Sequence, residues 1–139
     1  MEHVEYVYTV GMDESELTRR LGENDVGVLS LADGGRAYGV PVHYHYDDGQ
    51  LLLRLGEAPE SEKGRYVETT DEASFLVFDA DGEWSVIARG PLRRLDDVDD
   101  DRLNETFDTF RLFGEDVAEV TVAVYELDVR SLTGRRVAA

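Results

Sequence analysis

Arg54, Ser61 and Lys63 lie close together where a β-rich run leads towards a helix-like run. Arg54 ends the predicted strand, Ser61 is a residue type that caps helices, and Lys63 falls in the first turn that follows. The N–H groups at a helix start attract anions, and a cation there is unfavourable unless an anion lies beside it. The pattern therefore predicts a phosphate site. The alternative is that Lys63 and Arg65 pair with neighbouring glutamates on the surface.

Other residue types that support chemistry are poorly arranged. His43 and His45 are two residues apart, a spacing that two metal ligands could use, but the remaining histidine is His3 at the chain start. The acidic runs at 47–48 and 96–101 lack the ligand spacing of a calcium loop. No nucleophile elbow or Gly-rich phosphate loop is present. No metal site is predicted, and acid–base catalysis by the protein alone has little support.

The charge balance bears on possible partners. The 139 residues contain 31 Asp and Glu against 14 Lys and Arg, a formal net charge of −17. Nucleic acid and anionic membranes would both repel such a chain, so neither is an expected partner. Lys63 is the single lysine, and this bias towards Asp, Glu and Arg resembles the composition of halophilic proteins. We therefore interpret the acidic surface as adaptation to a salty solvent, and a basic partner as the alternative.

The chain is predicted to fold as one domain over residues 1–139. Hydrophobic residues make up 42% of it, enough for a single core. No apolar run approaches the roughly 20 residues of a membrane span, and the N-terminal residues do not resemble a secretory signal. The chain has no cysteine, which excludes disulfides and thiolate chemistry. We expect a cytoplasmic protein.

Alternating apolar residues and turn signals predict a mainly β protein with short helices. A helix is expected from the N-cap Asp13, with Glu16 completing a capping box, to a stop at Gly22. Further helices are expected within 56–70 and from 99 or 100 to 113, the latter with Phe107 and Phe110 on one face. Strands are predicted at 5–10, 26–32, 36–46, 50–55, 74–78, 84–94 and 117–129, with 130–136 trailing off the last one. Six or so antiparallel strands joined by hairpins indicate a small closed or nearly closed β-barrel.

The predicted strand at 36–46 contains an unusual residue. Tyr and Val side chains alternate onto one of its faces, as in a half-buried strand. Pro41 interrupts the other face, and proline within a sheet indicates an edge or a bulge. The turns on either side, at 33–35 and 47–49, are glycine-rich hairpin signals.

Residues 26–95 resemble the pyridoxamine 5′-phosphate oxidase-like flavin-binding family. The matching pieces are VGVLSLADGGRAYGVPVHYHYDDGQLLLRL, then Ser61-x-Lys63, then FLVF and WSVIARG. The resemblance implies a split β-barrel, six-stranded, antiparallel and of the Greek-key type. It also implies a homodimer that holds flavin mononucleotide (FMN) between its subunits, with which the stripe at Phe107 and Phe110 is compatible.

The family pattern also implies roles for particular residues. The strand through Tyr38, Gly39, Val40, Pro41 and Val42 would pass along the isoalloxazine ring, with backbone amides at the ring edge. The residues that match phosphate contacts are Arg54, Ser61 and Lys63. Ser85 matches a polar position that approaches the flavin from the same or the partner subunit. Glu62 stands where some relatives place a second cation, which implies weaker phosphate binding.

The resemblance predicts an FMN-dependent oxidoreductase that passes electrons to a small organic acceptor. True pyridoxamine phosphate oxidases carry C-terminal Arg and His residues for the substrate phosphate, and the ending YELDVRSLTGRRVAA has no His, so that activity is not expected. One alternative is a flavin-binding or flavin-storage module without turnover. Another is a split barrel that binds haem or a deazaflavin, with His43 or His45 as a haem ligand.

Overall fold

The computed structural model describes residues 9–57, 62–95 and 121–138. Within these ranges the chain forms nine strands and two helices: β1 (Thr9–Gly11), α1 (Glu14–Gly22), β2 (Val26–Asp33), β3 (Arg36–Asp47), β4 (Gln50–Glu57), α2 (Glu62–Thr69), β5 (Ala73–Phe78), β6 (Trp84–Gly90), β7 (Leu92–Leu95), β8 (Thr121–Leu127) and β9 (Ser131–Val137). Ser61, most of the predicted strand at 5–10 and the predicted helix ending at 113, with Phe107 and Phe110, lie outside the described residues.

Helix α1 begins as its sequence predicts. The side chain of Asp13 accepts a hydrogen bond from the backbone N–H of Glu16 at 2.8 Å. The Glu16 carboxylate pairs with Arg136 at 2.9 Å. At the other end Gly22 is the last helical residue, and Glu23 caps the helix in a right-handed conformation. The helix start is therefore confirmed, while the stop does not use a left-handed glycine.

Two tight hairpins bracket β3. Gly34 and Gly35 have φ angles of 53° and 86°, and Asp48 and Gly49 have φ angles of 51° and 79°. Two successive positive φ angles define the type I′ turn, whose twist matches that of paired strands. Both turns lie where the sequence predicts them, and they fix the register of β2 against β3 and of β3 against β4.

Strands β2 to β5 form a Greek key. Their order in the sheet is β5-β2-β3-β4, so the fourth strand returns beside the first. The return connection contains α2, which packs on β2. Tyr66 of α2 is buried and stacks on Tyr38 with ring centroids 5.1 Å apart. The Thr70 hydroxyl accepts a hydrogen bond from the N–H of Ala32 at 3.0 Å, which holds the end of α2 on β2.

A pair of bent strands closes the barrel. β6 continues into β7 at Pro91, and β8 continues into β9 through residues 128–130. β6 pairs with β9 while β7 pairs with β8. Across the bend the Asp128 N–H donates to the Pro91 carbonyl at 2.9 Å and the Arg130 N–H donates to the Arg89 carbonyl at 2.8 Å. With each bent pair counted as one strand, and with β1 left out as a short addition beside β9, the ring has six antiparallel strands. The predicted split-barrel class is confirmed.

Two strand predictions need correction. The run at 84–94 is broken at Pro91, where a Cβ on Gly90 would collide with the Asp128 carbonyl oxygen. The run predicted to end at Val129 stops at Leu127, and 130–136, expected to trail off, instead lies almost wholly in β9. β9 was missed because its inward positions include Gly134 and Arg136, so apolar alternation is weak there.

The barrel interior is apolar. The fully buried large side chains are Phe75, Leu21, Leu29, Leu51, Leu53, Leu55, Leu127, Val77 and Val86. Val42 and Tyr44 of β3 join this core, so the adjacent His43 points to the outer face of the barrel. The Tyr44 hydroxyl donates to the Leu21 carbonyl at 2.7 Å, which ties β3 to α1. Burial, together with the negative charge of Asp25, raises the pKa of Tyr44.

Candidate functional site

Strands β3 and β4 separate partway along their length. Their ladder runs from Asp47 and Gln50 to a last pair, His43 and Arg54. Beyond that pair, residues 36–42 of β3 pair only with β2 among the described residues, while residues 55–57 of β4 pair with β8. We call the gap between residues 37–42 and 55–57 the β3–β4 fork. Its apex is the pair His43 and Arg54.

Pro41 explains why the strands separate. The N–H of Tyr44 donates to the Asp25 carbonyl at 2.9 Å, on the β2 side. Because backbone groups alternate between the two edges of a strand, the nitrogens of His43 and Pro41 face β4. The nitrogen of proline has no hydrogen, so the ladder cannot continue past His43. The sequence-based interpretation of Pro41 as an edge residue is thereby confirmed.

The same alternation determines which backbone groups face the fork. Within residues 37–42 they are the N–H and carbonyl groups of Ala37 and Gly39 and the carbonyl of Pro41. The amides of Val40 and Val42 face β2, and their side chains lie in or against the core. Of the residues Val40, Pro41 and Val42, which were expected to bind the cofactor, Pro41 turns its backbone to the open edge, and the nearest N–H that faces the fork belongs to Gly39. The resemblance implied the whole strand 38–42, and only the register of β3 reveals which of its backbone groups face the fork.

The apex of the fork carries a buried positive charge. Arg54 is 8% exposed although it lies on the outer face, opposite to Leu53 and Leu55 of the core. On that face it lies between His43 of β3 and Val124 of β8. Burial lowers the pKa of Arg54, but a guanidinium remains charged in proteins. The fork therefore has a fixed cation where an anionic ligand group could bind.

His43 is half-buried beside that cation. Burial is the main cause that lowers the pKa of His43, and the positive charge of Arg54 lowers it further. The carboxylate of Asp25 acts in the opposite direction. The sequence indicated His43 only as a possible metal or haem ligand, and its position next to Arg54 could not be known without the β3–β4 register.

The other two residues of the predicted phosphate site, Ser61 and Lys63, are found in the sequence at the start of the next element along the chain, α2. α2 begins at Glu62, one residue after the predicted N-cap Ser61, which lies outside the described residues. Lys63 is half-buried in the first turn of this helix. Arg54 and Lys63 thus belong to consecutive elements, β4 and α2, that flank one connection. The helix predicted within 56–70 is confirmed.

Ser85 lies elsewhere in the barrel. It is half-buried on β6, paired with Phe78 of β5 and Arg135 of β9. β5 and β2 both stand between β6 and β3 in the sheet. Ser85 is therefore not at the fork of its own chain, and contact with a ligand at the fork would have to come from a second subunit.

Among the described residues, no three His, Asp or Glu side chains come together to hold a metal ion. None of the helices described is long and apolar enough to cross a membrane.

Comparisons with solved structures find the same fold. A FAD-binding protein from Mesorhizobium loti is 18% identical with a TM-score of 0.70, and the match covers 96% of this chain and 100% of that protein. The FAD binding protein from Mycobacterium smegmatis is 19% identical with a TM-score of 0.62, covering 97% of this chain and 100% of that protein. The flavocytochrome Anf3 from Azotobacter vinelandii is 10% identical with a TM-score of 0.63, covering 93% and 69% respectively.

Two sequence comparisons complement the structural one. A search of curated proteins found no match. The sequence model of the pyridoxamine 5′-phosphate oxidase family matches residues 13–136, which span most of the chain and all of the barrel strands from β2 to β8. The chain therefore belongs to the pyridoxamine 5′-phosphate oxidase family.

Proposed function

We propose that this protein binds FMN at the β3–β4 fork and works as a flavin-dependent oxidoreductase on a small organic acceptor. The observation that carries the proposal is the fork itself, which combines an open backbone edge at Gly39 and Pro41 with the buried cation of Arg54. Structural neighbours named as FAD-binding proteins and a flavocytochrome support a flavin as the ligand. A cytoplasmic location is part of the same proposal.

The residues of the fork fit the parts of a flavin. Arg54, with Lys63 and Ser61 on the following element, would bind the phosphate, since charge-assisted hydrogen bonds to phosphate are the strong ones. Gly39 and Pro41 would contact the ring edge, with Val40 and Val42 behind them in the barrel wall. A bound flavin supplies transfer of hydride or single electrons, and the protein orients it and limits access of water.

A homodimer would complete this site. The outer face of β2 and β5 exposes Val26 at 45% and Phe78 at 53%. Phe78 pairs with Ser85, so the polar position expected to approach the flavin borders this apolar area. We assign this apolar area to the proposed subunit interface. Packing of two such faces would bring Ser85 of the partner subunit towards the ligand.

The first experiment is the visible spectrum of protein purified at high salt, followed by extraction and chromatography of the bound compound. The proposal expects absorbance bands of an oxidised flavin and release of FMN. Release of FAD would keep the fold and the flavin site but change the cofactor. A Soret band would support haem instead, and a colourless protein that binds no added flavin would overturn the proposal.

Flavin storage without turnover is the second candidate. β9 contains no His of the kind that the resemblance implies for a true pyridoxamine phosphate oxidase, and the residues given offer no other evident substrate anchor. Steady-state assays separate the two candidates. Repeated reduction by a nicotinamide donor and reoxidation by a small acceptor supports the oxidoreductase, whereas tight binding without turnover supports storage.

A further inference from the structure

His43 and Arg54 are cross-strand neighbours on the outer face at the apex of the fork. Their pairing in the β3–β4 register places the two side chains side by side. Arg54 is buried, and His43 is half-buried and forms the last pair of the β3–β4 ladder in the part of the chain that the structure describes. An anion that binds Arg54 from the fork would therefore lie next to the imidazole of His43.

We propose that His43 is a second basic group of the phosphate site and takes up one proton from solvent when a phosphate monoester binds beside Arg54. The inference rests on the proposed function and deepens it. In this role His43 makes the affinity for the ligand depend on pH. As a metal or haem ligand it would not have this effect on phosphate binding.

The charges around His43 support this direction. Arg54 on β4 opposes protonation of the imidazole, and Asp25, next to Val26 at the start of β2, favours it. On β3 itself, His45 is the next titratable side chain on the same face, and it is exposed. In the free protein burial and Arg54 together hold the pKa of His43 below its ordinary value of 6.5, so the neutral ring predominates at pH 7. A phosphate dianion would offset the charge of Arg54 and raise that pKa.

The sign of the pH effect follows from proton linkage. The complex would hold one more proton than the free protein between the pKa values of His43 in the two states. Affinity for the phosphate ligand must then fall as pH rises through that window, by at most about tenfold per pH unit for one proton. Phosphate monoesters lose their own second proton near pH 6, which acts in the opposite sense, so measurements belong above about pH 6.5.

The test uses the full-length apoprotein, titrated with FMN and with riboflavin from about pH 6.5 to 8.5 at constant ionic strength. Riboflavin has the same ring and no phosphate. We expect the FMN dissociation constant to rise roughly three- to tenfold over this range, with little change for riboflavin.

Calorimetry in two buffers of different ionisation enthalpy should show proton uptake on FMN binding. His43→Gln should abolish the slope, and His45→Gln is the matched control that keeps the slope.

Each outcome is decisive. If FMN and riboflavin show the same pH dependence, or if His43→Gln retains the slope, His43 is not the linked group while the flavin proposal stands. If neither flavin binds at any pH, the proposed function fails and the inference fails with it. Should His43→Gln not fold, the imidazole proton resonances of the wild-type protein decide the question, since FMN must shift the titration of one histidine to higher pH, and a histidine titration unmoved by FMN overturns the inference.

Discussion

The backbone N–H of Tyr44 donates to the carbonyl of Asp25 at 2.9 Å, and this bond fixes which edge of β3 each residue faces. Counting back along the strand, the backbone groups of Gly39 and Pro41 must face away from β2. A proline at that place ends the ladder to β4, and the glycine beside it carries no side chain. The fork is therefore a consequence of two residue types placed in the right phase.

Gly39→Ala should weaken FMN binding while leaving the fold intact. Among the described residues, an added Cβ would have only ordinary contacts, at 3.8 Å to Ser30 Oγ and 3.9 Å to Val28 Cγ1. The methyl group would instead obstruct a ligand that approaches the backbone closely. We expect roughly tenfold weaker binding, about 1.4 kcal/mol, in a fluorescence titration. Gly11→Ala is the control, because its Cβ would meet only Arg135 at 3.8 Å; equal affinity of both variants would place the ring elsewhere.

Lys63→Ala should reduce FMN affinity by about 1.5 to 3 kcal/mol if its ammonium makes a charge-assisted contact to the phosphate. Lys63 is half-buried in the first turn of α2. Arg65→Ala removes an exposed cation two residues further along and serves as the matched control. The measurement is FMN and riboflavin binding at one salt concentration. An unchanged dissociation constant for FMN would assign Lys63 to the ordinary surface.

Features set by a few adjacent residues could be predicted from the sequence. The helix start at Asp13 and the two type I′ turns depend on local chemistry, and they lie where expected. Alternation of Tyr and Val along β3 gave its buried face correctly because one side of that strand packs on the core. The change from a β pattern to a helix pattern after residue 55 likewise predicts α2, while the phosphate site beside it stays a prediction.

Features that depend on contacts distant in sequence could not be predicted. β9 carries Gly134 where a Cβ would collide with Leu17 and Met12, so the inward residue is small and apolar periodicity is lost. The bend at Gly90 requires the approach of Asp128, which no local pattern shows. The site predicted from the sequence lacked one relationship for the same reason. His43 and Arg54 become neighbours only through the register of β3 against β4.

Phe78→Ser should weaken both self-association and flavin binding. Phe78 is 53% exposed, and removal of its ring from an interface would cost the apolar contacts that drive association. We expect at least about a tenfold increase in the dimer dissociation constant, measured by sedimentation or light scattering across a concentration series. Phe78→Leu keeps an apolar side chain and should retain the dimer. A Phe78→Ser protein that stays dimeric with full flavin affinity would exclude this face as the subunit interface.

FMN affinity should rise with ionic strength, opposite to the behaviour of nucleic-acid binding. The chain has a formal net charge of −17, and its carboxylates repel an incoming dianion over distances that salt screens efficiently. The contacts to Arg54 and Lys63 would be short and partly buried, so salt weakens them less than it weakens the long-range repulsion. Titrations between about 0.1 M and 1 M KCl, over which the Debye length falls from about 10 Å to about 3 Å, should show tighter FMN binding at the higher concentration. Riboflavin, which lacks the phosphate charge, should respond less, so the ratio of the two dissociation constants isolates the electrostatic part. If the dissociation constant of FMN rises relative to that of riboflavin as salt is added, attraction by the nearby cations dominates. The acidic surface would then not limit phosphate binding.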